Sequence, residues 1–344
     1  MKNALKVALG ATIVYILINC YSNRYNVKER DIENRLATTP ITRTISGIEY
    51  KINDFMMTQI TKDADNEASF GVMADCHGYY KNAKEFAELF KNQEVNGIVI
   101  LGDSAQQFRQ KSDPRLTSNE EIFKCVEAAA VTGLPVYVIP GNHDTRTDYA
   151  KAMQDLQKKY SNVFDLSTIR VVDGDDFDFV SNPFGTDFTY DGSDNFKGSK
   201  QDIIAISNYV KLLTDNDAKI LLTHQPPRCK GKNGIDVTYD GRNVGDKTLD
   251  RVVRENNLNV FLAHIHEAGG RSNGAGGIGN WHSKPSEQIR LNPGAVCPWN
   301  YIDSSSRDGT TFYAGMAALV YIKGKELTYH TFTLREGELM ERMR

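Results

Sequence analysis

The chain has 344 residues, which is enough for one large α/β domain or two smaller domains with a well-buried core. Its formal net charge is −3, with acidic and basic residues interspersed, so the composition gives no basic stripe of the kind that binds duplex nucleic acid. The five cysteines are widely spaced and form no CxxC pair, which excludes a disulfide framework and a cysteine-rich zinc motif. We expect Cys125 and Cys297 to be buried thiols.

The N-terminus carries a hydrophobic segment. Lys2 and Lys6 precede an uncharged stretch that extends to residue 23. A basic start followed by a short apolar run is typical of a signal peptide, and the run is short for a membrane span, which needs about 20 apolar residues. We predict a membrane anchor or export signal over residues 1–23, with a buried helix as the alternative; without such a signal the protein would be cytoplasmic.

The rest of the chain is predicted to contain one main domain. Residues 24–65 are polar and mixed, and they are predicted to form a linker and edge strands. A regular alternation of strands and helices begins at residue 68 and favours an α/β domain with a largely parallel core over residues 66–335. Residues 336–344 are predicted to be a charged tail. The predicted helices cover residues 81–91, 119–130, 149–160 and about 200–214, with a further helix starting near residue 246.

Five predicted strands end in polar residues that can bind metals. These residues are Asp75 and His77 after strand 68–74, Asp103 after 97–101, Asn142 after 135–140, His224 after 219–223, and His264 and His266 after 259–263. Parallel strands present their carboxyl ends along one edge of a sheet, where ligands bind. Side chains two residues apart in an extended chain point to the same side. We therefore expect these side chains to converge on one site.

The predicted ligands contain nitrogen and oxygen donors and no cysteine. Such a set suits Mn, Fe, Zn or a similar divalent ion. Seven protein ligands are more than one catalytic ion needs, because a catalytic site keeps a position open. The sequence therefore predicts two ions that share a carboxylate, about 3.5–4 Å apart.

These blocks resemble those of the calcineurin-like metallophosphoesterases, in particular the small single-domain phosphoesterases. The matching segments are Asp75-x-His77, Gly102-Asp103, Gly141-Asn142-His143-Asp144, the later His224, and His264-x-His266. The resemblance covers about residues 66–335. It implies a fold of two facing mixed β-sheets flanked by helices, the αββα sandwich of that family.

The resemblance also implies a role for each residue. Asp75, His77 and His266 would hold one ion, and Asp103 would bridge to the second ion. Asn142, His224 and His264 would complete the second site. His143 would lie beside the phosphate and assist the leaving group, and Asp144 would orient His143. The sequence departs from the family pattern in two places. The family often has Gly-Asp-x-x-Asp, whereas Asp103 is followed here by Ser104-Ala105-Gln106-Gln107, and Ala263 stands where glycine is usual.

The sequence thus predicts a metal-dependent hydrolase of small phosphoesters, either a phosphodiesterase or a phosphomonoesterase. Its chemistry would use a dinuclear centre and a bridging hydroxide. A nuclease and a non-catalytic scaffold of the same fold are the alternatives, although nucleic acid is not an expected partner at this net charge. Arg228, Lys230 and Lys232 follow His224 and would either attract an anionic substrate or form a solvated loop.

Overall fold

The computed structural model describes residues 39–106, 113–190, 192, 194–232, 234–273, 284–302, 308–335 and 338–342. Within these ranges, no helix is both long and apolar enough to cross a lipid bilayer. The hydrophobic segment over residues 1–23 lies outside the described residues, so its role as an anchor or export signal stays a prediction.

The described residues contain two large mixed sheets and a small ribbon. In chain order the strands are β1 (Ile41–Ile45), β2 (Ile48–Asn53), β3 (Met56–Gln59), β4 (Glu67–Met73), β5 (Gly97–Leu101), β6 (Val136–Ile139), β7 (Val163–Asp165), β8 (Val171–Asp173), β9 (Phe177–Asn182), β10 (Ala218–Thr223), β11 (Asn259–Phe261), β12 (Arg271–Ser272), β13 (Arg290–Asn292), β14 (Trp299–Ile302), β15 (Thr310–Tyr313), β16 (Gly315–Lys323), β17 (Glu326–Arg335) and β18 (Glu338–Arg342). The nine-stranded sheet has the order β1-β2-β3-β8-β9-β10-β11-β13-β12, and the seven-stranded sheet has the order β18-β17-β16-β4-β5-β6-β7. The ribbon consists of β14 and β15.

Both large sheets have a parallel centre. Strands β4 to β7 run parallel in one sheet, and β9, β10, β11 and β13 run parallel in the other. The central pairs are in register up to their last residues, since Met73 pairs with Ile100 and Leu101 pairs with Ile139. The carboxyl ends of these strands therefore lie level with one another at a single edge of the sheet.

Helices cover the outer face of each sheet. They are α1 (Tyr80–Asn92), α2 (Ser118–Ala130), α3 (Arg146–Lys159), α4 (Lys200–Ile204), α5 (Ile206–Val210) and α6 (Lys247–Glu255), with short 3₁₀ turns at Phe188–Tyr190 and His266–Ala268. One apolar cluster joins α1, α2 and α3 to the seven-stranded sheet, and another joins α4, α5 and α6 to the nine-stranded sheet. A third cluster fills the space between the two sheets. This four-layer arrangement confirms the predicted fold class.

Alternating side chains on the central strands supply both faces of each sheet. On β4, Phe70 and Val72 lie between the sheets, whereas Met73 packs with the outer helices. On β10, Leu222 lies between the sheets and Leu221 packs with the outer helices. Burying an apolar side chain of this size contributes about 1.5–3 kcal/mol, and a slip of one residue would reverse every face. The packing therefore fixes where each strand ends.

The structure refines three of the predicted segments. The helix predicted over 200–214 is two short helices that meet at Ala205. The predicted linker contains β1, β2 and β3, which extend the nine-stranded sheet at its edge. The residues predicted to form a charged tail contain β18, which pairs with β17 from Thr331 to Arg335. This pairing covers backbone groups that β17 would otherwise expose as an edge strand.

Candidate metal centre

The strand ends bring the predicted ligands to the seam between the two sheets. From the seven-stranded sheet come Asp75 and His77 after β4, Asp103 after β5, and Asn142 after β6. From the nine-stranded sheet come His224 after β10, and His264 and His266 after β11. Contacts between these two sets of side chains, given below, show that the edges of the two sheets meet here.

Four of the predicted ligands have a left-handed backbone conformation. The φ angle is 51° at Asp75, 45° at His77, 51° at Asp103 and 73° at His264. Residues other than glycine rarely adopt this conformation, which costs on the order of 1–3 kcal/mol each. Backbone hydrogen bonds hold two of them, from His77 N to Asp103 O at 2.8 Å and from Asp75 N to Gly102 O at 3.1 Å. The fold therefore maintains strained backbone at the residues whose side chains form the site.

Two glycines allow the ends of β5 and β6 to approach closely. Gly102 has a φ angle of +86°, and a Cβ atom on it would lie 2.4 Å from Gly141 N. A Cβ atom on Gly141 would lie 2.1 Å from Asp103 Oδ1. A larger residue at Gly141 would displace the Asp103 carboxylate, and a larger residue at Gly102 would push the ends of the two strands apart.

The first ligand group consists of Asp75, His77, Asp103 and His266. Their ligand atoms all lie within 4.8 Å of one another, and all four residues are buried. His266 Nε2 is 3.3 Å from Asp75 Oδ1 and 3.3 Å from His77 Nε2. His77 Nε2 is 3.8 Å from Asp103 Oδ2. This spacing suits one ion bound at about 2.0–2.2 Å from each donor atom.

The second ligand group consists of Asp103, Asn142, His224 and His264. Asn142 Oδ1 lies 3.0 Å from His224 Nε2 and 2.9 Å from His264 Nδ1. His224 Nε2 lies 3.3 Å from Asp103 Oδ2. Asp103 belongs to both groups, as a bridging carboxylate would. The structure thus brings the seven predicted residues together in two groups, and their binding of ions stays a prediction.

Backbone carbonyls orient two of the imidazoles. His77 Nδ1 donates to Ala105 O at 3.2 Å, and His224 Nδ1 donates to Leu101 O at 2.7 Å. A ring that donates through Nδ1 presents the lone pair of Nε2 on its other side when it is neutral. In both residues Nε2 is the atom that faces the ligand group, so the backbone holds each ring in the orientation a metal ligand requires.

The electrostatics of the site keep its carboxylates ionised. Burial raises the pKa of Asp103, but the charges of His224, His143 and His77 hold that pKa well below its ordinary value. Burial lowers the pKa of His224, whereas Asp103 and Asp75 raise it, with a net result of about 9. A positive charge on His224 beside these carboxylates is therefore favoured, whereas burial lowers the pKa of His77 to about 3, and a metal ion would take the place of the His224 proton.

Asp75 tests whether the site fits such ions. Its side chain is fully buried, and neither carboxylate oxygen accepts a hydrogen bond with normal geometry from any described residue. Buried carboxylates are costly unless they pair with a cation or bind a metal. The surrounding donors are carboxylate oxygens and imidazole nitrogens, which suit divalent Mn, Fe or Zn. The residues present therefore fit the two divalent ions that the sequence predicts.

His143 and Asp144 occupy different places in the turn after β6. The His143 amide donates to Asp103 Oδ1 at 2.7 Å, and its ring lies edge-to-face against the His77 ring with centroids 4.8 Å apart. The buried Asp144 carboxylate accepts from the amides of Gly141 at 3.0 Å and Ala105 at 2.9 Å. Asp144 thus fixes the turn that carries His143, and its predicted effect on the His143 ring stays a prediction.

A cavity of about 520 Å³ opens over both ligand groups. Its described lining comprises His77, Tyr79, Asp103, Gln106, Asn142, His143, Thr189, His264, His266, Glu267, Cys297, Pro298 and Trp299. Trp299 packs against the predicted ligand His266, with ring centroids 4.4 Å apart. Arg228, Lys230 and Lys232 do not belong to this described lining, so a role for them in attracting the substrate stays a hypothesis.

Asp187 is a functional candidate that sequence reasoning missed. Its Oδ2 lies 3.5 Å from His264 Nε2, while His264 Nδ1 faces the second ligand group. Burial raises the pKa of Asp187, but the hydrogen bond and charge of His264 lower it to about 2. A carboxylate on the far side of a ligating imidazole fixes the ring and raises its basicity. The sequence signal was weak, since Asp187 lies in a loop beyond β9 and follows no strand directly.

We expect Asp187→Asn to weaken the binding of one ion more than the binding of the other. The carboxamide keeps the size of the side chain but removes the charge that supports His264, and loss of such a partner typically costs 10–100-fold in metal affinity. Titration with a metal-chelating competitor should show this loss for one ion per chain, with the other ion unchanged. Equal weakening of both ions would contradict a role confined to His264.

The fold and the site together define a class of protein. A sandwich of two mixed sheets that presents carboxylates, a carboxamide and imidazoles at its strand ends is the arrangement of a metal-dependent phosphoesterase. A sequence profile of the calcineurin-like phosphoesterases matches residues 68–268. The chain belongs to the calcineurin-like phosphoesterase family, a family of metal-dependent hydrolases that typically bind two divalent ions. No curated protein sequence is detectably similar to it.

Solved structures with similar folds come from several organisms. The TT1561 protein of Thermus thermophilus is 12% identical, with a TM-score of 0.48 over 80% of this chain and 98% of that chain. A dimetal phosphatase from Danio rerio is 12% identical, with a TM-score of 0.48 over the same shares. GAP50, the anchor in the inner membrane complex of Plasmodium, is 13% identical, with a TM-score of 0.48 over 80% of this chain and 88% of that chain.

Proposed function

We propose that this protein hydrolyses small phosphoesters with two divalent ions, one held by each ligand group. The observation that carries the proposal is the position of Asp103, whose carboxylate lies 3.3 Å from His224 Nε2 and 3.8 Å from His77 Nε2. A single buried carboxylate between two sets of imidazoles is suited to two ions that act together on one phosphate.

The residues around the ions would bind and orient the phosphoester. When bound, two divalent ions supply water activation and neutralise charge on the phosphate oxygens. Asp103 and Asn142 line the cavity; Asp103 would keep the two ions close together, and Asn142 would hold the second ion. The aromatic side chains of Tyr79 and Trp299 line the same cavity and would pack against the ester group of the substrate.

His143 would act on the leaving oxygen. It lines the cavity, and the hydrogen bond from its backbone amide to the Asp103 carboxylate places its ring next to the residues of both ligand groups. Burial lowers the pKa of His143, which favours the neutral imidazole at neutral pH even though Asp103 opposes the shift. A neutral imidazole still carries one N–H group, and this group can donate to the oxygen that develops negative charge as the ester bond breaks.

Two alternatives are less well supported. A scaffold that kept the fold without the chemistry would not need seven converging ligands, a bridging carboxylate and His143 in one cavity. A nuclease would need to bind a long polyanion, and the chain has a net charge of −3. The cavity of about 520 Å³ falls within the size range of small-molecule sites.

The proposal is tested by a substrate panel on metal-free protein. Bis-p-nitrophenyl phosphate, p-nitrophenyl phosphate and single-stranded DNA would each be assayed after addition of Mn²⁺, Zn²⁺ or Fe²⁺. We expect hydrolysis of at least one nitrophenyl ester with a divalent ion, and none with the chelated protein. Binding of two ions without hydrolysis of any ester would contradict the proposal, and efficient cleavage of DNA alone would favour the nuclease.

A further inference from the structure

Cys297 lies beside the first ligand group. Its Sγ atom, a ring nitrogen of His77 and a ring nitrogen of His266 all lie within 4.8 Å of one another. The residue is only 4% exposed, and it lines the cavity over the ligand groups. The thiol and the two imidazoles form a set of possible ligands that shares His77 and His266 with the first ligand group but does not include Asp75 or Asp103.

The backbone around Cys297 is bonded to the strand that carries Asp75. The Cys297 amide donates to Asp75 O at 3.1 Å, and the Val296 amide donates to Ala74 O at 2.8 Å. The preceding Ala295 accepts at its carbonyl from Met316 N at 2.7 Å. These backbone hydrogen bonds hold Asp75 and Cys297 side by side. The position of the thiol is therefore fixed relative to the strand that leads to Asp75.

The Asp75 carboxylate and the two imidazoles near the thiol are independently suited to bind a cation. Both carboxylate oxygens of Asp75 are buried without a hydrogen bond of normal geometry in the described part of the chain. The Nε2 atoms of His77 and His266 face each other 3.3 Å apart, a spacing at which one ring can donate to the other or both rings can bind one ion. The thiol thus lies next to buried donor atoms that a bound ion would bring together, with His266 Nε2 3.3 Å from Asp75 Oδ1.

We propose that Cys297 binds, as a thiolate, the ion held by the first ligand group. The inference rests on the proposed function, which supplies that ion. On binding, the thiol proton leaves to solvent and a sulfur lone pair forms the bond to the metal. A sulfur donor makes this ion site softer than the all-nitrogen-and-oxygen site beside it, so it favours Zn²⁺ over Mn²⁺.

X-ray absorption at the zinc edge tests the proposal directly. In full-length protein loaded with Zn²⁺ we expect a sulfur scatterer at about 2.3 Å in addition to nitrogen and oxygen at about 2.0–2.1 Å. Cys297→Ser should remove the sulfur shell. Cys76→Ala is the matched control, because Cys76 is a buried thiol between Asp75 and His77 in sequence, and it should keep the shell.

Metal selectivity gives a second readout that does not use activity. We expect Cys297→Ser to lose about tenfold more affinity for Zn²⁺ than for Mn²⁺, because only Zn²⁺ gains strongly from the thiolate. Circular dichroism of the variant would confirm that it is folded. Two zinc ions with only nitrogen and oxygen neighbours in the unaltered protein would overturn this inference and leave the proposed function standing. Failure to bind any of Zn²⁺, Mn²⁺ and Fe²⁺ would overturn both.

Discussion

Replacing Asp103 with alanine is expected to remove both ions and to abolish hydrolysis. Asp103 is the one described residue whose carboxylate belongs to both ligand groups, so its loss breaks both sites at once. Metal content measured by elemental analysis should fall from about two ions per chain to below about half an ion. We expect kcat/KM to fall at least about a thousandfold, equivalent to about 4 kcal/mol of transition-state stabilisation.

Two further variants separate this effect from misfolding. Asp103 has a φ angle of 51°, which alanine tolerates poorly and asparagine tolerates better. Asp103→Asn should therefore fold at least as well as Asp103→Ala while still losing the bridging charge. Asp165→Ala is the control. It removes another buried carboxylate, which accepts a hydrogen bond from Tyr149 Oη at 3.0 Å and belongs to neither ligand group. This variant should keep both ions. Full metal content in Asp103→Ala would contradict the bridge.

Replacing His143 with alanine is expected to lower turnover and to leave both ions in place. His143 lines the cavity, and its side chain contacts the His77 ring without belonging to either ligand group. The backbone amide that bonds Asp103 is unchanged in the variant, so the bridge should persist. Removing one hydrogen-bond donor to developing negative charge typically costs about 10²–10³-fold, and we expect kcat to fall by about that factor.

The leaving group provides a sharper test of this role. A p-nitrophenolate leaves without help, whereas an alkoxide needs a proton or a strong hydrogen bond as the ester bond breaks. The loss of turnover in His143→Ala should therefore be about tenfold or more greater for an alkyl ester than for a nitrophenyl ester. His143→Gln offers a neutral donor of similar reach and should recover part of the loss. Equal losses with both esters, or loss of an ion, would assign His143 a different role.

The sequence predicted most of the fold because hydrophobic patterns are local. The strands that precede Asp75, Asp103 and His224 are short apolar runs bounded by glycine or polar residues, and the amphipathic helices lie between them. Strands that alternate with helices generally form a parallel sheet covered by those helices, which gives the α/β class. The ligands could be predicted because each one lies in the short segment that follows such a strand.

The remaining parts of the site depend on contacts between distant segments. Asp187 and Cys297 lie in loops, and only the folded chain places them beside His264 and His77. The left-handed backbone at His264 is equally hidden, because propensity predicts it for glycine or asparagine rather than histidine. The structure therefore adds the residues that support the ligands, which no strand-end pattern reveals.

The two sheets contribute ligands to both groups, and this has a mechanical consequence. The first group joins Asp75 of one layer to His266 of the other, and the second group joins Asn142 to His224. Each bound ion would cross-link the two sheets and restrain segments that are far apart along the chain, as a disulfide does. A chelator would then loosen the seam between the layers at this edge, while the apolar packing below continued to hold them.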